Sequence, residues 1–222
     1  TPGEANFTAG QVANGELATW ALSGDAFVTT WYDQSGNANN ATQATTTAQP
    51  KIVSAGTLVA GGLDFDGVDD LLGTSLVPPN VATLISVTNW DTINVTGMII
   101  GARDSANQRS YLAQVSTGLT AVGVAGSNLT GPSVVAGTDY LLYGTYSSSA
   151  RSLSTNGVLV TDALGNFPNN TTHGYSIGAL NTAGTNGSVM NGTIQEIIVY
   201  ASDQSANRVG IETNINAAYT IY

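Results

Sequence analysis

Along the chain, short runs in which apolar and polar residues alternate, or in which β-branched residues accumulate, are separated by clusters of Gly, Asn, Asp and Ser. These runs occupy residues 26–32, 50–54, 62–66, 81–90, 96–102, 109–115, 119–125, 138–147, 151–161, 174–179 and 192–200. A period of two between turn formers is the pattern of half-buried strands, so the spacing predicts an all-β chain. Within Thr138–Tyr146, alternation sets Tyr140, Leu142 and Tyr146 on one face and Leu141, Tyr143 and Thr145 on the other. Both faces are apolar, which predicts a central strand. The run Arg151–Val160 reads as two strands joined at Asn156-Gly157, a pair that accepts the positive φ of a tight hairpin turn. A helix is predicted over 203–219, where short polar residues precede a face made of Ile211, Ile215, Ala218 and Tyr219. Residues 1–25 carry Phe7 and Trp20 without a sustained period and read as an extended arm or irregular edge; a sandwich with its helix takes up 26–222.

Composition narrows the classes of function. Hydrophobic residues make up 42% of the 222 positions and charged residues only 9%, so Thr, Ser, Asn, Gln and Gly must cover the surface, as suits secreted or virion β-proteins. Fifteen acidic residues against five basic ones leave a net charge of −10, which repels a phosphate backbone and argues against nucleic acid as a partner. Without Cys there is no disulfide framework, thiolate metal site or cysteine nucleophile. No apolar run approaches the roughly 20 residues that span a bilayer, and a soluble chain at an extracellular or virion surface is expected.

Three pieces carry a family resemblance: Trp31-Tyr32-Asp33-Gln34-Ser35-Gly36-Asn37 through Gln43, Gly62-Leu63-Asp64-Phe65-Asp66-Gly67 through Asp70, and the Asn156-Gly157 hairpin. They resemble LamG-type, concanavalin A-like jelly rolls, particularly those of bacteriophage virion fibre and decoration proteins. They are similar more weakly to the N-terminal part of fungal α-L-arabinofuranosidase B-type hydrolases. The resemblance implies a concanavalin A-like antiparallel β-sandwich with a short C-terminal helix. It also implies a lectin-like, carbohydrate-binding attachment role, or alternatively a self-assembling subunit of a fibre, filament or virion whose partners are neighbouring copies of itself.

Candidate chemistry is sparse. Hydrolysis by concanavalin-like glucanases needs two acids on one strand, but Glu196 stands alone between Ile194 and Ile198. It is the one catalytic candidate, through its faint match to the arabinofuranosidase nucleophile strand, and the expectation is a non-catalytic module. Asp64, Asp66, Asp69 and Asp70 lie within seven residues and could supply oxygens to Ca²⁺, or simply shape turns. A lone His173 fits no usual transition-metal site. Glycan contacts are expected from planar polar groups beside aromatic rings. The candidates are Asn37, Asn39, Asn40 and Gln43 after Trp31; Arg103, Asp104, Asn107 and Gln108 before Tyr111; and Asn170 and His173 before Tyr175. Trp31 and Trp90 are expected in the core.

Overall fold

In the computed structural model of the chain, residues 3–105, 108–124, 126–163, 172–182 and 185–222 are described. Among them the strands are, in order, Ala26–Phe27 (β1), Thr30–Trp31 (β2), Ala41–Thr42 (β3), Lys51–Ser54 (β4), Thr57–Leu58 (β5), Leu63–Asp66 (β6), Leu72–Gly73 (β7), Ala82–Trp90 (β8), Gly97–Ser105 (β9), Gln108–Gln114 (β10), Leu119–Val124 (β11), Ser127–Ser133 (β12), Asp139–Tyr146 (β13), Ala150–Thr155 (β14), Val158–Ala163 (β15), Ser176–Ile177 (β16), Leu180–Thr182 (β17), Thr185–Gly187 (β18) and Asn191–Tyr200 (β19). They form two sheets. The nine-stranded sheet has the order β1-β4-β6-β19-β8-β13-β14-β15 with β5 beside β4, and the ten-stranded sheet the order β12-β11-β10-β9-β16-β7-β3-β2 with β17 and β18 beside β9. Pairing is antiparallel except between β17 and β9. This is a concanavalin A-like β-sandwich.

The core lies between the sheets. Phe65, Leu84, Tyr140, Leu142, Leu153 and Ile194 of the nine-stranded sheet meet Leu72, Ile100, Ala102, Leu112, Val122 and Ile177 of the other, and Trp90 is fully buried with them. Trp31 packs against this core from its rim. Strand β13 is central, as its two apolar faces require: Tyr140, Leu142 and Tyr146 enter the core, while Leu141 and Tyr143 join Ile85 and Val87 on the outer face. That outer patch is covered by helix Arg208–Tyr219 (α3), through Ile211, Ile215 and Tyr219. Ala218 is exposed instead, and Glu212 takes the buried place beside Ile215, paired with Arg208 one turn earlier. None of the helices among the described residues is long and apolar enough to cross a membrane.

The N-terminal segment, expected as an extended arm or irregular edge, holds two short helices instead of an extended chain. Residues Ala9–Ala13 (α1) and Glu16–Ala21 (α2) are helical. Thr8 and Gln11 form a reciprocal capping box, with the Gln11 amide donating to Thr8 Oγ1 (3.3 Å) and the Thr8 amide to Gln11 Oε1 (2.9 Å). Leu17 and Ala21 then bury against Ala26 and Val53, with Phe7 and Trp20 meeting edge to face at 5.5 Å. Helices this short show no readable period. Their stability comes from the cap and from docking on the sheet edge.

A β-bulge in β19 controls which residues face out. Ile194 pairs with Thr88 and Glu196 with Val87, so Gln195 is the extra residue. The bulge reverses the alternation. Ile194 points into the core, whereas Ile198 lies on the outer face against α3. Strict alternation had placed Ile194, Glu196 and Ile198 together.

Candidate functional site

Strands β9 and β10 pair so that Arg103 and Arg109 stand directly opposite each other. Two residues on, Tyr111 pairs with Gly101 and with Gly123 of β11, which in turn pairs with Asn128 of β12. Core residues Ile100, Ala102, Leu112 and Val122 take the intervening positions, so this group occupies the outer face of the ten-stranded sheet. Gly123 has a steric reason: a Cβ there would lie 2.1 Å from the Tyr111 ring. The ring thus lies flat across β11, and its hydroxyl donates to Asn128 Oδ1. Arg109 stacks over the ring at 5.4 Å and donates from Nη2 to the same Asn128 oxygen (3.0 Å).

Charge is concentrated here. Burial raises the Tyr111 hydroxyl above its usual range, and Arg109, Arg103 and Arg151 all pull it back. Three of the five basic residues therefore act electrostatically on one phenol in a chain of net charge −10. Arg151 is neutralised by a two-pronged pair with Asp162 (2.8 and 2.7 Å). By contrast, Arg103 makes no hydrogen bond to any described residue, and the Nε atoms of Arg103 and Arg109 are buried without a partner. Like charges directly across a strand pair repel, so this arrangement suits an anion between them.

Beside Arg103, Asp104 turns to the other candidate loop. Its carboxylate accepts from the Thr172 amide (2.7 Å), Thr172 Oγ1 (2.6 Å) and His173 Nδ1 (2.9 Å). Burial alone would raise its pKa, but these hydrogen bonds prevail and hold it at about 2. Two segments some seventy residues apart, both expected to contribute, thus meet at one rim; Asn107 and Asn170 lie outside the described residues. Gln108 Oε1 accepts from Ser105 Oγ.

Other expected contacts serve the fold. Tyr175 is fully buried, its hydroxyl tied to Ser110 (2.8 Å) and Tyr146 (3.0 Å), so it cannot stack on a sugar. Tyr111 is only 3% exposed and supports Arg109 instead of offering an open ring. In the loop after Trp31, Asp33 accepts from the Ser35 amide, the Ser35 hydroxyl and the Asn39 amide, which keep its carboxyl below the usual range. Asn40 caps the Asp33 amide and Asn37 donates to Ser35 Oγ. Gln43 accepts from the Thr45 amide. The most distinctive string of the sequence is a self-bonded turn.

Asp66, Asp69 and Asp70 place carboxylate oxygens within 4.8 Å of one another. This offers three carboxylates toward the six to eight oxygens of a Ca²⁺ site. However, Asp66 Oδ1 already accepts from the amides of Val68 and Asp69, and Asp70 Oδ2 from that of Asp66. Burial, with the neighbouring carboxylates, pushes Asp70 up to about 6. Asp64 lies outside that 4.8 Å group, cross-strand from Lys51 and in one cleft with Asp66 and Asp70. Glu196 meets the hydroxyl of Tyr219 on α3, and burial, reinforced by this carboxylate, pushes that tyrosine up to about 12.

Local sequence does not mark Arg109, Asn128 or Arg151 as site residues. The alternation of Arg109 with Tyr111 was legible; the convergence of three strands and a hairpin on them was not.

No protein-family model matches the chain, and no curated protein matches it. Solved structures do. The NanB sialidase from Streptococcus pneumoniae aligns with a TM-score of 0.57 and 16% identity over 68% of this chain and 27% of its own. Trypanosoma rangeli sialidase aligns with 0.59 and 15% over 85% of this chain and 31% of its own. The Ruminococcus gnavus IT-sialidase CBM40, bound to α2,3 sialyllactose, aligns with 0.52 and 15% over 62% of this chain and 84% of its own. The chain thus spans about a quarter to a third of the whole sialidases and most of the CBM40 module. At these identities the shared property is the sandwich.

Proposed function

We propose that the chain is a non-catalytic carbohydrate-binding module that takes an acidic glycan on the outer face of the ten-stranded sheet. The observation that carries this reading is the opposed pair Arg103 and Arg109, unneutralised in an otherwise acidic molecule. A sugar carboxylate docks between the two guanidinium groups, Asn128 and His173 contribute hydrogen bonds to hydroxyls, and Asp104 fixes the rim. Likeness in fold to a sialyllactose-bound CBM40 supports this choice of ligand class. The uncharged polar exterior supports a secreted or virion-surface setting, with glycans as partners.

Titration with α2,3-sialyllactose by calorimetry tests the proposal. Saturable binding is expected, with lactose inert on this face. Arg103→Ala and Arg109→Ala should each weaken binding at least about tenfold. Equal binding of lactose, or an unaffected Arg103→Ala variant, would reject the arginine site.

A further inference from the structure

The opposite face of the molecule carries a second feature. Strand registers align Phe27 with Lys51, Lys51 with Asp64, Asp64 with Thr193, Thr193 with Asn89, and Asn89 with Asp139. These six residues form one row running across β1, β4, β6, β19, β8 and β13. The row lies on the outer face of the nine-stranded sheet, since Leu63, Phe65 and Ile194 point into the core while Val87 and Leu141 lie against α3. Five strand spacings of roughly 4.8 Å make it about 24 Å long.

Two clefts open along it. One, of about 490 Å³, is lined by Asn89, Asp139, Thr138, Thr193 and Ile221, just past the end of α3. The other, of about 420 Å³, is lined by Phe27, Thr46, Gln49, Lys51, Asp64 and Asp70. Phe27 is 48% exposed. Asp139 accepts from Asn89 Nδ2 (2.9 Å) and Gln195 Nε2 (3.4 Å), which fixes the Asn89 amide and leaves its Oδ1 buried without a donor. The one cation, Lys51, is already paired with Asp25 (2.9 Å).

We propose that this row is a second, extended binding groove for a neutral linear oligosaccharide, independent of the arginine face. Its acceptors exceed its donors, so it suits a ligand rich in hydroxyl groups. Planar carboxylates and amides match vicinal hydroxyls, and the half-exposed ring of Phe27, over which Lys51 Nζ lies at 5.7 Å, offers apolar surface to a pyranose. A metal ion is excluded from the larger cleft by its size and its single carboxylate. An acidic glycan is disfavoured by Asp64, Asp70 and Asp139 lining the two clefts.

The experiment is amide NMR titration of the full chain with neutral tetrasaccharides of glucose (β1,4, α1,4 and β1,3 linked) and of xylose. At least one should give saturable shifts at both clefts together, around Phe27, Asp64, Thr193, Asn89 and Asp139, with glucose and xylose themselves binding at least about tenfold more weakly. Phe27→Ala, on an exposed edge strand, and Asn89→Ala should each weaken tetrasaccharide binding by a similar factor, while Arg103→Ala leaves it unchanged. Absence of saturable shifts at these residues with every tetrasaccharide overturns the groove, as does wild-type affinity in Phe27→Ala and Asn89→Ala. Failure of sialyllactose binding alone leaves the groove standing, so the two faces are judged separately.

Discussion

At the scale of single residues, polar side chains that look alike in sequence do opposite things. Asp33 is an ionised staple held by backbone amides, whereas Asp70, 6% exposed and crowded by other carboxylates, resists ionisation. Its folded pKa of about 6 lies above the unfolded value near 3.9, so the folded state binds the proton more tightly. The stability this supplies is present below about pH 4 and is lost as pH rises through 6. Asp70→Asn keeps an oxygen for the Asp66 amide and removes the charge. It should stabilise the protein at pH 7 by on the order of 1 kcal/mol, allowing for solvent at the cleft, and lose that advantage near pH 4. Thermal melts across that range measure it. Added Ca²⁺ provides the matching check on the carboxylate trio: an ion bound there should raise the wild-type Tm at pH 7 and leave Asp70→Asn unmoved.

At the scale of elements, strands with sustained alternation were legible and the exceptions have physical causes. The central strand β13 was read correctly on both faces because its alternation is unbroken. The grouping of Ile194 with Glu196 and Ile198 on one face was not, because the Gln195 bulge is a property of pairing with β8 that leaves no mark on local hydrophobicity. The short helices α1 and α2 did carry a signal, the Thr8-x-x-Gln11 capping box, but too few turns for a period. Strand β11 shows how one glycine serves the site. Gly123→Ala would drive a methyl into the Tyr111 ring, costing about 1–3 kcal/mol and tilting the platform under Arg109. A lowered Tm together with weakened sialyllactose binding is the expected pair of results; a lowered Tm with intact affinity would detach Tyr111 from the site. Helix α3 acts as a lid on the nine-stranded sheet, so Ile215→Ala should cost about 2–4 kcal/mol in denaturant unfolding.

At the scale of the whole molecule, the two outer faces differ in charge. One carries the opposed Arg103 and Arg109; the other presents carboxylates and amides. Raising salt from low to about 0.5 M should weaken binding at the arginine face several-fold, because screening shortens the reach of exposed charges, and leave neutral-oligosaccharide binding nearly constant. Parallel titrations at the two ionic strengths measure the contrast. The string from Trp31 to Gln43, on which the family resemblance chiefly rested, is a self-satisfied turn, while the arginine face and the polar row emerged from residues scattered over the chain. The reason lies in the range of the forces involved. Alternation, turn chemistry and net charge are written in neighbouring residues, so the all-β class, the central strand and the acidic balance were settled by order along the chain. Which polar residue stands beside which depends on strand register, bulges and the crossing of distant segments, and these are chosen only when the whole core packs.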